Sequence, residues 1–170
     1  MARPGDVLDV PALGVKVEFR RTTEETGGEL VEFDLVGRPQ GFITTPHVHP
    51  AQSERHEVIE GRFWIRTGAL ERLLGSGEVV ETHAGVEHCH GSYQPGRVRV
   101  QIRPALEFEA WLERIATLDY LPGGWPKPVD AARLVLDFDQ EAHAAIPPLR
   151  IQQAAARGVL KLAETAQSRR

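Results

Sequence analysis

The segment GFITTPHVHPAQSERHEVIEG, residues 41–61, decides how this chain of 170 residues is read. It sets His47 and His49 two residues apart, Glu54 five residues after the second histidine, and Gly61 at its end. Side chains at i and i+2 of a β-strand leave the same face, so the spacing predicts that His47 and His49 point together into whatever that face encloses. Burying two imidazoles and a carboxylate is costly unless they are paired or bound to a metal. The cluster therefore reads as chemistry before packing.

A second segment, GEVVETHAGVEHCHGS (77–92), carries a strand-like VVETH, a turn signal at Ala84-Gly85 and a further candidate ligand, His88. Together the two segments resemble the paired motifs of the cupin superfamily. The first fits that family's pattern of glycine, His-x-His, glutamate and glycine at Gly41, His47, His49, Glu54 and Gly61. In the second, Gly77, Gly85 and His88 fall where the pattern has them, while His83 stands at its usual proline and Ser92 at its usual asparagine. These departures touch a turn and a supporting hydrogen bond, not the four ligand positions. The resemblance covers residues 15–105 and implies an antiparallel jelly-roll barrel in which His47, His49, Glu54 and His88 hold a metal. Three neutral imidazoles and a carboxylate suit a divalent first-row ion (manganese, iron, nickel, copper or zinc) with one or two positions left for water or substrate.

Parity then singles out other titratable groups. His56 is i+2 from Glu54 and His90 is i+2 from His88, so regular strands would bring both into the interior as candidate catalytic bases or as groups that orient the ligands. The plainer reading is a pair of hydrogen-bonded wall residues. His83 is expected to face solvent, Cys89 to face away from the site as a small buried hydrophobe, and His143, alone on a helical stretch, to lie on the surface. Phe63, Trp64 and Ile65 are expected to pack the sheet core. Arg99, Gln101 and Arg103 share one strand face, which would clamp an anion if interior; a solvated face is expected.

A net charge of −4, with 24 acidic and 20 basic residues, leaves no basic stripe for phosphates and argues against nucleic acid as a partner. The single cysteine excludes an intrachain disulfide framework and suits a reducing compartment. The first residues do not read as a signal peptide, and no apolar run reaches the roughly 18 residues of a membrane span. A soluble cytoplasmic protein with a small-molecule ligand is the expectation.

Residues 1–14, with Pro4, Gly5, Pro11 and Gly14, predict an arm laid over the surface. VKVEFR (15–20), ELVEFDLV (29–36) and VRVQIRP (98–104) alternate with a period of two and predict strands of a barrel spanning 15–106. HEVIEGRFWIRTG (56–68) predicts a hairpin turning near Glu60-Gly61, and ALERLL (69–74) a strand or one helical turn. Beyond residue 107 the period becomes helical, with helices predicted at 108–118, 129–146 and 149–166 and a frayed QSRR tail. The whole is a mainly β protein with a C-terminal α-helical extension, packed on the barrel or on the partner of a homodimer. Two functions fit: a small metalloenzyme, dioxygenase-like or isomerase- or cyclase-like, acting on a small organic substrate, or a non-catalytic module that binds or senses a small ligand.

Overall fold

The period-two segments become the strands of two facing antiparallel sheets in the computed structural model, which describes residues 2–168. One sheet runs in the order β1 (Val7–Val10), β2 (Val15–Arg21), β3 (Val31–Gly37), β10 (Gly96–Arg103), β5 (Ser53–Glu60) and β8 (Val79–Thr82). The other runs β13 (His143–Ala144), β4 (His47–Val48), β9 (His88–Gly91), β6 (Arg62–Thr67) and β7 (Leu70–Gly75). Between them lies a common core that includes Phe19, Val31, Val58, Phe63, Ile65 and Ile102, all but closed to solvent. The result is a jelly roll with helices at its C-terminal end, mainly β as the alternation predicts.

Three local expectations are corrected. The N-terminal arm is part of the sheet: β1 pairs with β2 from Val7↔Glu18 to Val10↔Val15, and Leu13 in the turn that follows is fully buried. Met1 lies outside the described residues. Glu60-Gly61 is not a hairpin turn, because β5 pairs with β10 and β8 while β6 pairs with β7 and β9, in the other sheet. Gly61, at φ +88°, is the corner where the chain changes sheets, and β-branched and aromatic residues on both sides of a glycine suit a corner as well as a hairpin. The hairpin proper is β6–β7, closed through Gly68-Ala69, which makes ALERLL a strand.

The third correction concerns the helices. Helix α1 (Phe108–Ala116) and helix α3 (Leu149–Gln167) lie close to expectation, but α2 (Pro128–Asp137) stops short of the predicted 129–146. Residues 138–146 instead return to the barrel, where β13 pairs with β4 through His143↔Val48 and Ala144↔His47. Alanine content favours helix here, but tertiary contacts override it: Phe138 packs on the core, and the Glu141 carboxylate accepts from the Glu107 backbone N–H at 3.1 Å. Of the expected frayed tail, Arg169 and Arg170 lie outside the described residues.

Helix α1 packs directly on the barrel, burying Phe108, Leu112 and Ile115, with the Phe108 ring stacked on Phe33 at 6.1 Å. Its Glu109 is buried and accepts from the backbone N–H groups of Ala2 and Thr23, tying the helix to the N-terminal strands. Arg99, Gln101 and Arg103 do face outward, and they are paired: Gln101 donates to Glu32, Arg103 to Glu29, and Arg99 joins Arg20 and Arg97 around the buried Asp34 carboxylate. Burial alone would raise the Asp34 pKa, but hydrogen bonds from Arg99, Arg97 and Arg20 hold it below the ordinary carboxylate value.

The first glycine of the His-x-His segment earns its place by close approach. Gly41 has φ +73°, and a Cβ there would stand 2.4 Å from the carbonyl oxygen of Gly124. That carbonyl lies in the turn between β11 (Tyr120–Leu121) and β12 (Trp125–Pro126) and accepts from the Phe42 N–H. Gly41→Ala is expected to destabilise the protein by about 2–3 kcal/mol, from left-handed strain plus the displaced turn. Urea denaturation reads this; an unchanged midpoint would contradict it.

Candidate metal centre

The site is assembled across the two sheets. β4 and β9 pair through His47↔His88, whose imidazole centroids are 4.4 Å apart, and His49 follows β4 with its ring 5.1 Å from that of His47. From the facing sheet, β5 turns Glu54, His56 and Val58 inward, each buried, at the period of two that a strand imposes, and Gln52 just before the strand is buried as well. Gln52 anchors the loop between the ligands, its amide donating to the carbonyls of Pro104 and Ala105 at 3.1 and 3.0 Å. In the second segment the Gly85 N–H donates to the His49 carbonyl at 2.8 Å, which locks the two motifs in register.

The ligand atoms of His47, His49, Glu54 and His88 lie within 4.8 Å of one another. Glu54 Oε2 is 2.8 Å from His88 Nε2 and 3.7 Å from His49 Nε2. Each of the three imidazoles turns its Nδ1 to a backbone carbonyl: His47 to Thr45 at 2.8 Å, His88 to Val86 at 3.0 Å, and His49 to Glu141. A carbonyl only accepts, so these contacts place a proton on each Nδ1; this leaves the Nε2 of His47 and His49 free to ligate, while that of His88 is hydrogen-bonded to Glu54. His49 Nε2 is buried and has no hydrogen-bond partner. The donor set is therefore one that can hold a divalent metal ion, and its orientation is fixed before any ion arrives.

No sequence-family model and no curated protein matches the chain. Solved structures do. An RmlC-like cupin from Shewanella frigidimarina NCIMB 400 superposes with a TM-score of 0.52 at 20% identity, over 62% of this chain and 88% of its own. KdgF from Halomonas sp. gives a TM-score of 0.52 at 21% identity, over 61% of this chain and 90% of its own. The fold is that of a cupin.

Inside this cupin barrel the electrostatics sort the histidines. Burial lowers the pKa of His47 to about 3, helped by neighbouring His49 and His88, and burial likewise lowers His49, His56 and His90. His88 moves the other way: burial would lower it, but its hydrogen bond to Glu54 and the charge of that carboxylate raise it. Burial would raise Glu54, yet His56, His88 and His49 around it hold the carboxyl well below its ordinary value, so it stays ionised.

His56 and His90 both lie in the interior, as parity predicts, and with Glu54 they form a second group of ligand-type atoms within 4.8 Å. They are not equivalent. His90 lines the cavity that also takes in His47, His49 and Glu54 and has an unpartnered Nδ1, whereas His56 is fully buried behind Glu54, its Nε2 3.5 Å from Oε1, and does not reach the cavity wall. His83 is exposed and Cys89 buried, as expected. Phe63 and Ile65 pack in the core, Phe63 against the rings of His56 and His90. Ser92 is buried with an unpartnered hydroxyl, so it does not supply the hydrogen bond expected of an asparagine there. His143 is not a free surface residue: it sits half-buried on β13 at the cavity wall. The contribution of Glu141, through its main-chain carbonyl, was invisible in the sequence because any residue carries that group.

Proposed function

We propose that this chain is a metal-dependent cupin enzyme acting on a small organic substrate, with His47, His49, Glu54 and His88 as metal ligands. The observation that carries this reading is the convergence of the ligand atoms of His47, His49, Glu54 and His88 within 4.8 Å, with each imidazole held by an Nδ1–carbonyl contact. A divalent metal held there supplies Lewis acidity, polarising a carbonyl or enol oxygen or activating oxygen. His90 is the proton-moving residue because it borders the cavity beside the ligands, and burial keeps its imidazole neutral at rest. His56 acts one step removed, positioning Glu54 from behind. His47 and His49 present the reacting end of the substrate with a wall of unprotonated imidazole, while the apolar cavity beyond them excludes water.

The test is metal analysis of the purified protein, followed by oxygen-uptake and product assays with electron-rich enols and phenols. Turnover that vanishes in a folded His49→Ala variant is the expected result. Metal-replete protein that binds such compounds tightly and turns over none of them would replace the enzyme with a sensing module.

A further inference from the structure

The cluster sits at one end of a cavity of about 240 Å³. Its walls come from the barrel, with Val17, Phe33 and Val100, and from the C-terminal extension, with Trp111, Leu112 and Leu134. Among the described residues no arginine, lysine or aspartate lines it. The polar side chains away from the cluster are Thr45, His143, Gln152 and the indoles of Trp111 and Trp125, and the first three hydrogen-bond to main chain. Thr45 donates to the Phe42 carbonyl at 2.6 Å and His143 Nδ1 to the Ala144 carbonyl at 2.8 Å. Gln152 donates to the Ala144 and Pro147 carbonyls at 2.8 and 2.6 Å. The side chains of His47, His49, Glu54 and His90 form the polar end of the cavity.

From this we infer that the ligand is a largely hydrocarbon molecule of about one ring's size, anchored by a single oxygen-bearing end at the histidine cluster and uncharged elsewhere. The inference deepens the metalloenzyme reading and rests on it for the anchoring end. An apolar cavity of about 150 Å³ holds benzene, so this one accepts a ring with a few further substituent atoms. Each methylene placed against these walls gains by leaving water, whereas each hydroxyl buried there without a partner loses its hydrogen bonds to water uncompensated. A sugar or sugar acid, with several hydroxyls, would lose most of its hydrogen bonds to water and find few replacements. Away from the cluster an anion would find no arginine or lysine, since Arg20, Arg97 and Arg99 converge on Asp34 on the outer sheet face.

The experiment compares 4-ethylphenol with D-glucuronate on the full chain by titration calorimetry, with bound metal measured on the same samples. The phenol is expected to bind at least tenfold more tightly. Leu134→Trp, which fills the helix-side wall, is expected to weaken phenol binding at least tenfold with metal content unchanged. Should that variant unfold at a lower temperature than the parent, Leu112→Phe reads the same wall. Glucuronate binding as tightly as the phenol, or phenol affinity untouched in both folded variants, would overturn the inference. Phenol binding by protein that takes up no metal would sink the metal centre while leaving the apolar cavity reading intact; metal uptake with glucuronate preferred would do the reverse.

Discussion

Glu54→Gln is expected to lower the affinity of the protein for a divalent first-row ion by about a hundredfold or more, with the fold retained. Glu54 is the one anion among the four ligands, and it is buried. Without it, a doubly charged ion would enter a low-dielectric site faced by three neutral rings, with nothing to offset its desolvation. Losing a group that merely orients a ligand costs about 10–100-fold in metal affinity, and loss of the ligand itself should exceed that. The amide keeps the size of the side chain, so the change reads charge and ligation, not a cavity. Glu57 is the matched control: it lies on the same strand but on the outer face, hydrogen-bonded to Arg55 at 3.0 Å. Competition against a chromophoric chelator should show Glu57→Gln indistinguishable from the parent. Equal affinities for Glu54→Gln and the parent would remove the carboxylate from the centre.

The contrast between those two glutamates also shows what the sequence made legible. Strand periodicity alone separates Glu54 and His56, which point in, from Arg55 and Glu57, which point out, and the structure keeps that parity along β5 as far as Val58. Spacing within one strand is a local property, so it survives folding. Which strands pair is not local. Gly61 looks the same whether the chain reverses within one sheet or crosses to another, and the sequence reading chose the wrong alternative. Residues 138–146 show the same limit: their helix propensity amounts to tenths of a kcal/mol per residue, less than the packing of Phe138 and the pairing of β13 with β4 can supply. The Glu141 carbonyl that orients His49 lies 92 residues away in sequence and carries no side-chain signature.

Acidification should release the metal with a proton stoichiometry that reflects the unequal histidines. Three imidazoles with ordinary pKa values near 6.5 would each take a proton below that pH, and affinity would fall by up to about a thousandfold per pH unit. Here His47, at about 3, and His49, also lowered by burial, stay neutral and have no proton to surrender. His88 is raised by its bond to Glu54, so in metal-free protein it carries the proton that an incoming ion displaces. Loading below about pH 6.5 is therefore expected to release close to one proton per ion, and affinity to fall about tenfold per pH unit as the pH is lowered further. Calorimetry in buffers of different ionisation enthalpy counts the proton, and a slope near three would refute the assignment. The same shifts set the stability of the metal-free fold. For His47, His49, His56 and His90 the folded pKa lies below the unfolded one, so below about pH 6.5 the unfolded chain takes up protons that the folded chain refuses, and stability falls with pH. Glu54 acts in the same direction, its contribution present above its unfolded value of 4.5 and lost as pH falls through its lower folded one. His88 has the opposite sign: its contribution is complete below about pH 6.5 and is lost as pH rises through its raised folded value. Between pH 7 and pH 5 the four lowered histidines outweigh the one raised histidine, so the urea midpoint of metal-free protein should drop; a midpoint that rises would mean that the interior imidazoles are charged in the folded state.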